Sequence, residues 1–268
     1  MLCSSSNTAA TSVDRMATNV SVSEDSADVG KHTSTHFIDL DVARNILQHG
    51  QIEVVAQMPY SSNATFLVRV EDNEIAVNGI YKPVNGERPL WDFPRGLHRR
   101  EIAAYELSEE LDWGVVPPTL ERVGPHGTGS VQLFIEADFS QHHFTLVKDA
   151  RHHPTLRKLC VLDLLANNTD RKAGHCLLSK WGTIYGIDHG LCFSSDFKLR
   201  TVIWEFANQP IEEELMSGVN RLAEGVASTI SSWLDQDEID ALVERARWLR
   251  ESQFFPEDDG YRWPWPLI

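Results

Sequence analysis

The chain has 268 residues, 42% of them hydrophobic, and its formal net charge is −15 at pH 7. This hydrophobic content is enough for one large two-lobed domain or two small ones. The negative charge is the wrong sign for a protein that coats nucleic acid or rests permanently on an anionic membrane, and it argues against both classes.

The cysteines and the hydropathy of the sequence predict a reduced protein of the cytoplasm. Cys3, Cys160, Cys176 and Cys192 lie far apart without a C-x-x-C pair, which argues against a zinc knuckle and a dense disulfide framework. No basic and apolar leader opens the sequence, and no window approaches the roughly 20 apolar residues that span a bilayer. We therefore expect no stable membrane insertion.

A polar tail and a short helix come first along the chain. Residues 1–35 are rich in Ser, Thr, Asn and Asp without hydrophobic periodicity, which predicts a disordered tail. Asp39 or Asp41 can then cap a short helix that runs through Gln48 and stops at Gly50.

Val- and Ile-rich runs separated by turn residues then predict a β-rich segment. The predicted strands cover residues 51–58, 64–71, 74–82, 115–123 and 130–136. One long helix, residues 97–111, interrupts them before Gly114, Pro117 and Pro118.

Helical periodicity dominates the second half of the chain, at residues 155–165, 219–234 and 237–250. The change near residue 140 predicts an α+β fold of two lobes with a cleft between them. The N-terminal lobe, residues 36–138, would hold an antiparallel sheet plus one helix. The C-terminal lobe, residues 139–268, would be mainly helical.

A lysine is a candidate for binding phosphate, and a glutamate is a candidate for orienting it. Lys82 ends the third predicted strand and precedes Pro83, so its ammonium can project into the cleft. Glu101, at the start of the long helix, can pair with it and hold it extended. The ordinary alternatives are a solvated lysine and a helix-terminal acid that the helix dipole favours.

Two aspartates follow apolar elements in the second half. Asp170 lies in a polar cluster directly after an apolar helix, and Asp188 follows an apolar strand and precedes Gly190. Asp188 suits a carboxylate that holds Mg²⁺ with phosphate oxygens and water, and Asp170 suits a group that orients or deprotonates an acceptor hydroxyl. Each aspartate alone could equally serve a turn or a helix cap.

At these residues the chain resembles the phosphatidylinositol 3-/4-kinase superfamily, and in particular the type II phosphatidylinositol 4-kinase-like proteins of actinobacteria. The resemblance rests on short motifs in the family's order. These are Ser61-Ser62-Asn63-Ala64-Thr65-Phe66-Leu67-Val68, Tyr81-Lys82-Pro83, Glu101 with Ala104-Tyr105, Ser130-Val131-Gln132-Leu133-Phe134-Ile135-Glu136, Asn168-Thr169-Asp170-Arg171 and Ile187-Asp188-His189-Gly190-Leu191-Cys192-Phe193.

The resemblance implies a protein-kinase-like fold, ATP as phosphate donor, and Mg²⁺ with Mn²⁺ as an alternative. It implies catalytic roles for Lys82, Asn168, Asp170 and Arg171, and metal binding by Asp188, with His175 as a further candidate metal ligand at the position of the family's second metal-binding residue. It further implies nucleotide contacts from Ser61, Ser62, Asn63, Lys82, Glu101, Gln132, Phe134, Ile135 and Ile187.

Two departures from the family pattern motivate a second hypothesis. His175 stands where these kinases usually carry a metal-holding Asn, and its imidazole could bind Mn²⁺, contact phosphate or simply pack. The loop at residues 61–65 lacks the glycines of a typical phosphate-binding loop. The alternative to an active kinase is therefore a degenerate fold that binds nucleotide as a regulatory module.

The acceptor is left open by the sequence. The cysteine-rich stretch that anchors type II lipid kinases by palmitoylation is absent, and the acidic chain opposes contact with anionic headgroups. A protein hydroxyl or a small molecule fits these features, whereas the family resemblance favours a phosphoinositide.

Overall fold

The computed structural model describes residues 16–17, 21–22, 38–59, 61 and 63–268. It confirms the predicted α+β fold with two halves. The strands are β1 (Met16–Ala17), β2 (Ser21–Val22), β3 (Ile38–Asp39), β4 (Gln51–Gln57), β5 (Phe66–Asp72), β6 (Ile75–Pro83), β7 (Thr119–Gly124), β8 (Gly127–Leu133), β9 (Cys176–Leu178) and β10 (Ile184–Gly186). The α-helices are α1 (Leu40–His49), α2 (Leu97–Glu110), α3 (His143–Leu146), α4 (His153–Ala166), α5 (Glu213–Glu224), α6 (Ser228–Ser231) and α7 (Gln236–Ser252).

An antiparallel sheet forms the N-terminal half, in the order β4-β5-β6-β8-β7, with β2 pairing against the start of β6. Alternate side chains of its central strands face α1, because successive residues of a strand point to opposite faces. This face and α1 form what we call the sheet core, with Val68, Val70, Val77, Tyr81 and Val131 among its fully buried members.

Helix α1 is capped as the sequence predicts. The Asp39 carboxylate accepts from the N–H groups of Asp41, at 2.8 Å, and Val42, at 3.3 Å, and the N–H of Gly50 donates back to the carbonyl of Ile46. Because α1 packs on the sheet, the N-terminal half contains this helix in addition to the long helix α2.

Helix α2 lies between the sheet and the C-terminal helices. It follows Gly96, whose φ of 97° is in the left-handed region that glycine adopts without steric cost. Several of its buried residues, among them Ala103, Ala104 and Leu107, belong to the core of the C-terminal half, which we call the helical core. The long helix therefore packs with the C-terminal half as well as against β7 and β8 of the sheet.

The C-terminal half is mainly helical, as predicted, but one helix differs in extent. Instead of a helix over residues 219–234, α5 ends at Glu224, directly before Gly225, and the short α6 follows it. Glycine is a weak helix former and a common helix terminator, which explains the break. None of the helices in the described part of the chain is long and apolar enough to cross a membrane.

The connection between the halves is held by backbone hydrogen bonds. The N–H of Phe134 donates to the carbonyl of Asn78, at 2.9 Å, within the sheet. Past that point, the N–H of Lys180 donates to the carbonyl of Glu136 and the N–H of Asp138 donates to Leu178, each at 3.0 Å. The connecting segment therefore pairs with the chain around β9.

Most of the predicted disordered tail, residues 1–35, lies outside the described residues. Strands β1 and β2 fall within it and pair with β3 and β6. Cys3 also lies outside the described part of the chain, whereas Cys160, Cys176 and Cys192 are free and buried. Burial raises the pKa of Cys176 to about 12, which makes its thiol unreactive at neutral pH.

Candidate active site

Lys82 lies near the end of β6, where it pairs with Ser130 of β8. The two strands approach closely at this point, since a Cβ on Gly129 would lie 2.3 Å from the Lys82 carbonyl oxygen. Its neighbour Tyr81 points into the sheet core, so Lys82 points to the opposite face, toward α2.

The ammonium of Lys82 contacts two carboxylates from separate elements. It donates to Oε1 of Glu101 on α2, and to Oδ1 of Asp188 at 2.7 Å. The Glu101 side chain is buried, and its Oε2 accepts from the N–H of His189 at 3.0 Å. Burial alone would lower the pKa of Lys82, but Asp188 and Glu101 raise it above its ordinary value. The lysine is therefore a fixed cation.

Asp188 presents a half-exposed carboxylate just after β10. Its φ of 61° is in the left-handed region, which turns the chain sharply at this residue. The ammonium of Lys82 holds the pKa of the Asp188 carboxyl well below its ordinary value, although burial opposes the shift. One oxygen binds Lys82, and the other, Oδ2, lies 3.5 Å from Nε2 of His175.

Asp170 lies in the loop that follows α4. Its N–H donates to the side-chain oxygen of Asn168 at 3.0 Å, and its Oδ2 pairs with the ammonium of Lys172 at 2.8 Å. The side chain is a quarter exposed, so a ligand can reach it. This arrangement fits the predicted role of Asp170 toward an acceptor hydroxyl.

A buried ion pair supports this loop. Arg171 and Asp163 are fully buried, and the guanidinium donates to both carboxylate oxygens at 2.8–3.1 Å. Asp163 also accepts from Asn168 at 2.9 Å. Arg171 further donates to the carbonyl of Ile187 at 2.8 Å and to Nε2 of His189 at 2.6 Å. This network joins the loop of Asp170 to the segment of Asp188.

The predicted nucleotide loop lies between β4 and β5, and the N–H of Ala64 donates to the carbonyl of Gly86, shortly after β6, at 3.0 Å. Ser61 Oγ donates to Thr65 Oγ1 at 2.9 Å, and the Asn63 side-chain oxygen accepts from the N–H of Arg88 at the same distance. Ser62 lies outside the described residues. The polar side chains at positions 61 and 63 are therefore engaged in bonds that stabilise the loop itself.

The predicted adenine-binding strand contributes mostly buried groups. The amide of Gln132 donates to Thr119 Oγ1 at 2.8 Å, and Ile135 is buried in the sheet core. Phe134 and Ile187 are partly exposed. Of these four residues, Phe134 and Ile187 retain surface that a ligand could contact.

Contacts join the predicted charged residues into one site, but they do not include every predicted site residue. Lys82, Glu101, Asp188 and His175 form a continuous chain of contacts, to which the Arg171 network connects Asn168 and Asp170. Ser61, Asn63 and Gln132 bond to other neighbours. The sequence did not predict roles for three supporting residues, Asp163, Lys172 and His189. Asp163 could have been noticed, because it is an aspartate within an apolar helix.

The donor set suits Mg²⁺ that arrives with phosphate. The described residues contain no group of three or more His, Cys, Asp or Glu side chains that could hold a metal by themselves. Asp188 offers one half-exposed carboxylate, and Mg²⁺ commonly binds one or two carboxylates while phosphates and water complete its shell. The residues present therefore fit a metal–nucleotide complex.

The chain is similar to phosphatidylinositol kinases and to a mycobacterial protein. Residues 104–221 match the family model described as phosphatidylinositol 3- and 4-kinase. The chain is 35% identical over 266 residues to Protein Rv2133c of Mycobacterium tuberculosis, a match that covers 83% of this chain and 94% of the relative. It is 25% identical over 218 residues to phosphatidylinositol 4-kinase gamma 4 of Oryza sativa subsp. japonica, covering 66% of this chain and 37% of the plant protein.

Solved structures share the fold at low sequence identity. The Golgi casein kinase with Mn/ADP bound superimposes with a TM-score of 0.52 at 15% identity, covering 85% of this chain and 80% of that one. The hydra Fam20 structure with sugar gives a TM-score of 0.50 at 13% identity, covering 80% and 87%. These neighbours support the kinase-like fold alone.

Proposed function

Because the chain belongs to the phosphatidylinositol 3- and 4-kinase family, we propose that it is an ATP-dependent kinase that transfers the γ-phosphate to a hydroxyl group. The observation that carries the proposal is the contact of Lys82 with both Glu101 and Asp188. Phosphoryl transfer relies on positioning and charge stabilisation, and this contact places a fixed cation beside a carboxylate that can hold metal.

Each residue has a role that follows from its surroundings. Lys82, held by Glu101, would bind phosphate oxygens of ATP. Asp170 would orient the acceptor hydroxyl and receive its proton while the acceptor oxygen bonds to the γ-phosphorus and the bond to ADP breaks. Asn168 and Arg171 would hold the loop of Asp170 in place. The predicted contacts of Phe134 and Ile187 with the adenine ring stay proposals.

Asp188 would hold the divalent cation, Mg²⁺ or Mn²⁺. When bound, the cation would neutralise charge on the phosphate oxygens. Asp188 is suited to this because it stays ionised beside Lys82 and keeps a partly exposed oxygen. We further propose that residues 36–138 and 139–268 act as the two lobes that enclose the nucleotide.

The test is transfer of label from γ-labelled ATP with Mg²⁺ or Mn²⁺. We expect Asp188→Ala to abolish transfer and Asp170→Ala to lower kcat by about 100-fold or more, the usual effect of losing a general base. Asp196→Ala is the matched control, because Asp196 is exposed. Full activity in the Asp188 variant would contradict the assignment.

The same assay determines the acceptor class. Label is followed into added protein, phosphatidylinositol vesicles and free phosphate. The name of the plant relative favours a phosphoinositide, whereas the acidic composition of this chain favours a protein or a small molecule. Label in vesicles alone supports the lipid, and label in protein alone supports a protein kinase.

A nucleotide-binding module without turnover is the second candidate. It is favoured by His175 in place of the usual Asn and by the side chains of Ser61 and Asn63, which are already bonded. ATP that raises the melting temperature without any label transfer or hydrolysis would support it.

A further inference from the structure

His175 lies beside Asp188, and its two ring nitrogens face different partners. Nδ1 lies 3.4 Å from the backbone nitrogen of Lys172, whose N–H donates to it. Nε2 lies 3.5 Å from Oδ2 of Asp188. The side chain is only 15% exposed, so protein groups hold most of the ring.

The backbone contact determines which nitrogen carries the proton. A backbone N–H can only donate, so Nδ1 must be the acceptor and has no proton of its own. A neutral imidazole has one N–H, which is then on Nε2. A doubly protonated ring would place two N–H groups against each other at Lys172. The ring therefore presents an N–H toward the carboxylate of Asp188.

We propose that His175 is a positioning residue for Asp188 and not a metal ligand. Metal binding by a neutral imidazole requires a ring nitrogen without a proton. The only such nitrogen, Nδ1, is occupied by the N–H of Lys172. The inference rests on the proposed function, because it takes Asp188 as the residue that holds the metal.

Two groups then hold the orientation of the Asp188 carboxylate, each at a different oxygen. Lys82 donates to Oδ1 at 2.7 Å, and the Nε2–H of His175 faces Oδ2. A carboxylate oxygen has two lone pairs, so Oδ2 can accept from His175 and still bind a cation. His175 orients the metal-holding carboxylate. This protein then contributes one metal ligand fewer than a kinase that carries the usual Asn at this position.

The state of the ring can be measured without nucleotide. Long-range ¹H–¹⁵N spectra of the full-length chain distinguish the two neutral tautomers, and the spectrum of His175→Gln identifies the signals of this ring. We expect the Nε2–H tautomer, unchanged when Mg²⁺ and a non-hydrolysable ATP analogue are added. A ring protonated on Nδ1, or loss of the Nε2 proton on adding Mg²⁺ and the analogue, would overturn the proposal.

The number of bound metal ions provides the second test. Electron paramagnetic resonance counts the Mn²⁺ ions that bind with the ATP analogue to the wild type, His175→Ala and the control Asp188→Ala. We expect the same number in the wild type and His175→Ala, and a lower number in Asp188→Ala. One ion fewer in His175→Ala would show that the imidazole is a ligand and overturn the proposal.

The two tests separate this inference from the proposed function. If the wild type binds no ATP analogue, the proposed function fails, and the spectra without nucleotide still decide the tautomer. If the analogue binds with its metal and the ring carries its proton on Nδ1, the proposed function stands and the role of His175 as a donor is wrong.

Discussion

Lys82, Glu101 and Asp188 together carry one net negative charge, although the lysine contacts both carboxylates. A divalent cation that binds at Asp188 would turn this cluster positive, which favours the phosphates of a nucleotide. Asp188 can take part because Lys82 keeps it ionised. The three side chains therefore favour binding of an anion only after a divalent cation has made the net charge of the cluster positive.

The lowered pKa of Asp188 predicts a pH dependence of stability. A carboxyl with a lowered pKa in the folded state stabilises it above the ordinary pKa, and this contribution is lost as the pH falls below that value. Asp188→Asn should therefore lower Tm slightly at pH 7, because the loss in free energy of unfolding expected for a half-exposed pair is about 1 kcal/mol or less. The difference in Tm from the wild type should shrink as the pH falls from 7 to 3. A difference independent of pH would contradict the assignment.

The buried pair of Arg171 and Asp163 predicts a larger effect. Asp163→Ala leaves the guanidinium buried without its partner, which costs about 3–5 kcal/mol in comparable cases. Urea unfolding should show this loss, whereas Asp196→Ala, at an exposed position, should stay within about 0.5 kcal/mol of the wild type. Equal stability of both variants would show that the pair contributes nothing to folding.

At the scale of elements, α2 is fixed to the C-terminal helices by charge as well as by packing. Arg100, next to Glu101, forms a buried ion pair with Glu238 of α7. Glu238 also accepts from the N–H of Asp235 at 3.0 Å and so caps its own helix. At the other end of α2, Arg221 donates to the carbonyl of Glu110 at 3.0 Å. The position of Glu101 is therefore set by contacts with the C-terminal half.

A double-mutant cycle measures this connection. Arg100→Met or Glu238→Gln alone should destabilise the fold, since each leaves a buried polar group without its partner. Combining the two should cost less than the sum by about 0.5–3 kcal/mol, the range for residues in direct contact. Urea unfolding of the four proteins gives the coupling energy, and a value near zero would rule out a direct interaction.

Most elements could be predicted from the sequence because each carries a local signal. The cap of α1 at Asp39 and the strand that ends at Lys82 were predicted within a few residues. The break after α5 was missed because apolar periodicity continues past Gly225. The core that α2 joins could not be predicted, since it depends on packing against α4 and α6, which come much later in the sequence.

The candidate site likewise contains features that the sequence predicts and features that depend on contacts in the folded structure. The order of the charged motifs predicted Lys82, Glu101 and Asp188, and the structure places them in contact. The tautomer of His175 could not be predicted, because it depends on a backbone contact within a tight turn. The sequence also gave no sign that the side chain of Asn63 bonds to the backbone of Arg88.

At the scale of the whole molecule, the site joins the sheet to the C-terminal half, because Lys82 lies on β6 and Asp188 follows β10. A ligand that binds both should stabilise the native state. The ATP analogue with Mg²⁺, at 100 times its Kd, should add about 2.7 kcal/mol. Lys82→Met should shift Tm less at the same concentration, and Lys148→Met, at an exposed position, should match the wild type. Equal shifts in all three would contradict phosphate binding by Lys82.

The packing of α2 also limits how relatives of this chain can be recombined. The covalent connection between the halves lies near residues 134–138, whereas α2, which precedes it in sequence, contributes buried residues to the helical core as well as packing against the sheet. A chimera joined at the connection would combine α2 of one parent with the helical core of another, so Leu111 and Gly218, which fit closely, would come from different proteins. Chimeras that exchange α2 together with the C-terminal helices should fold better than those divided at the connection.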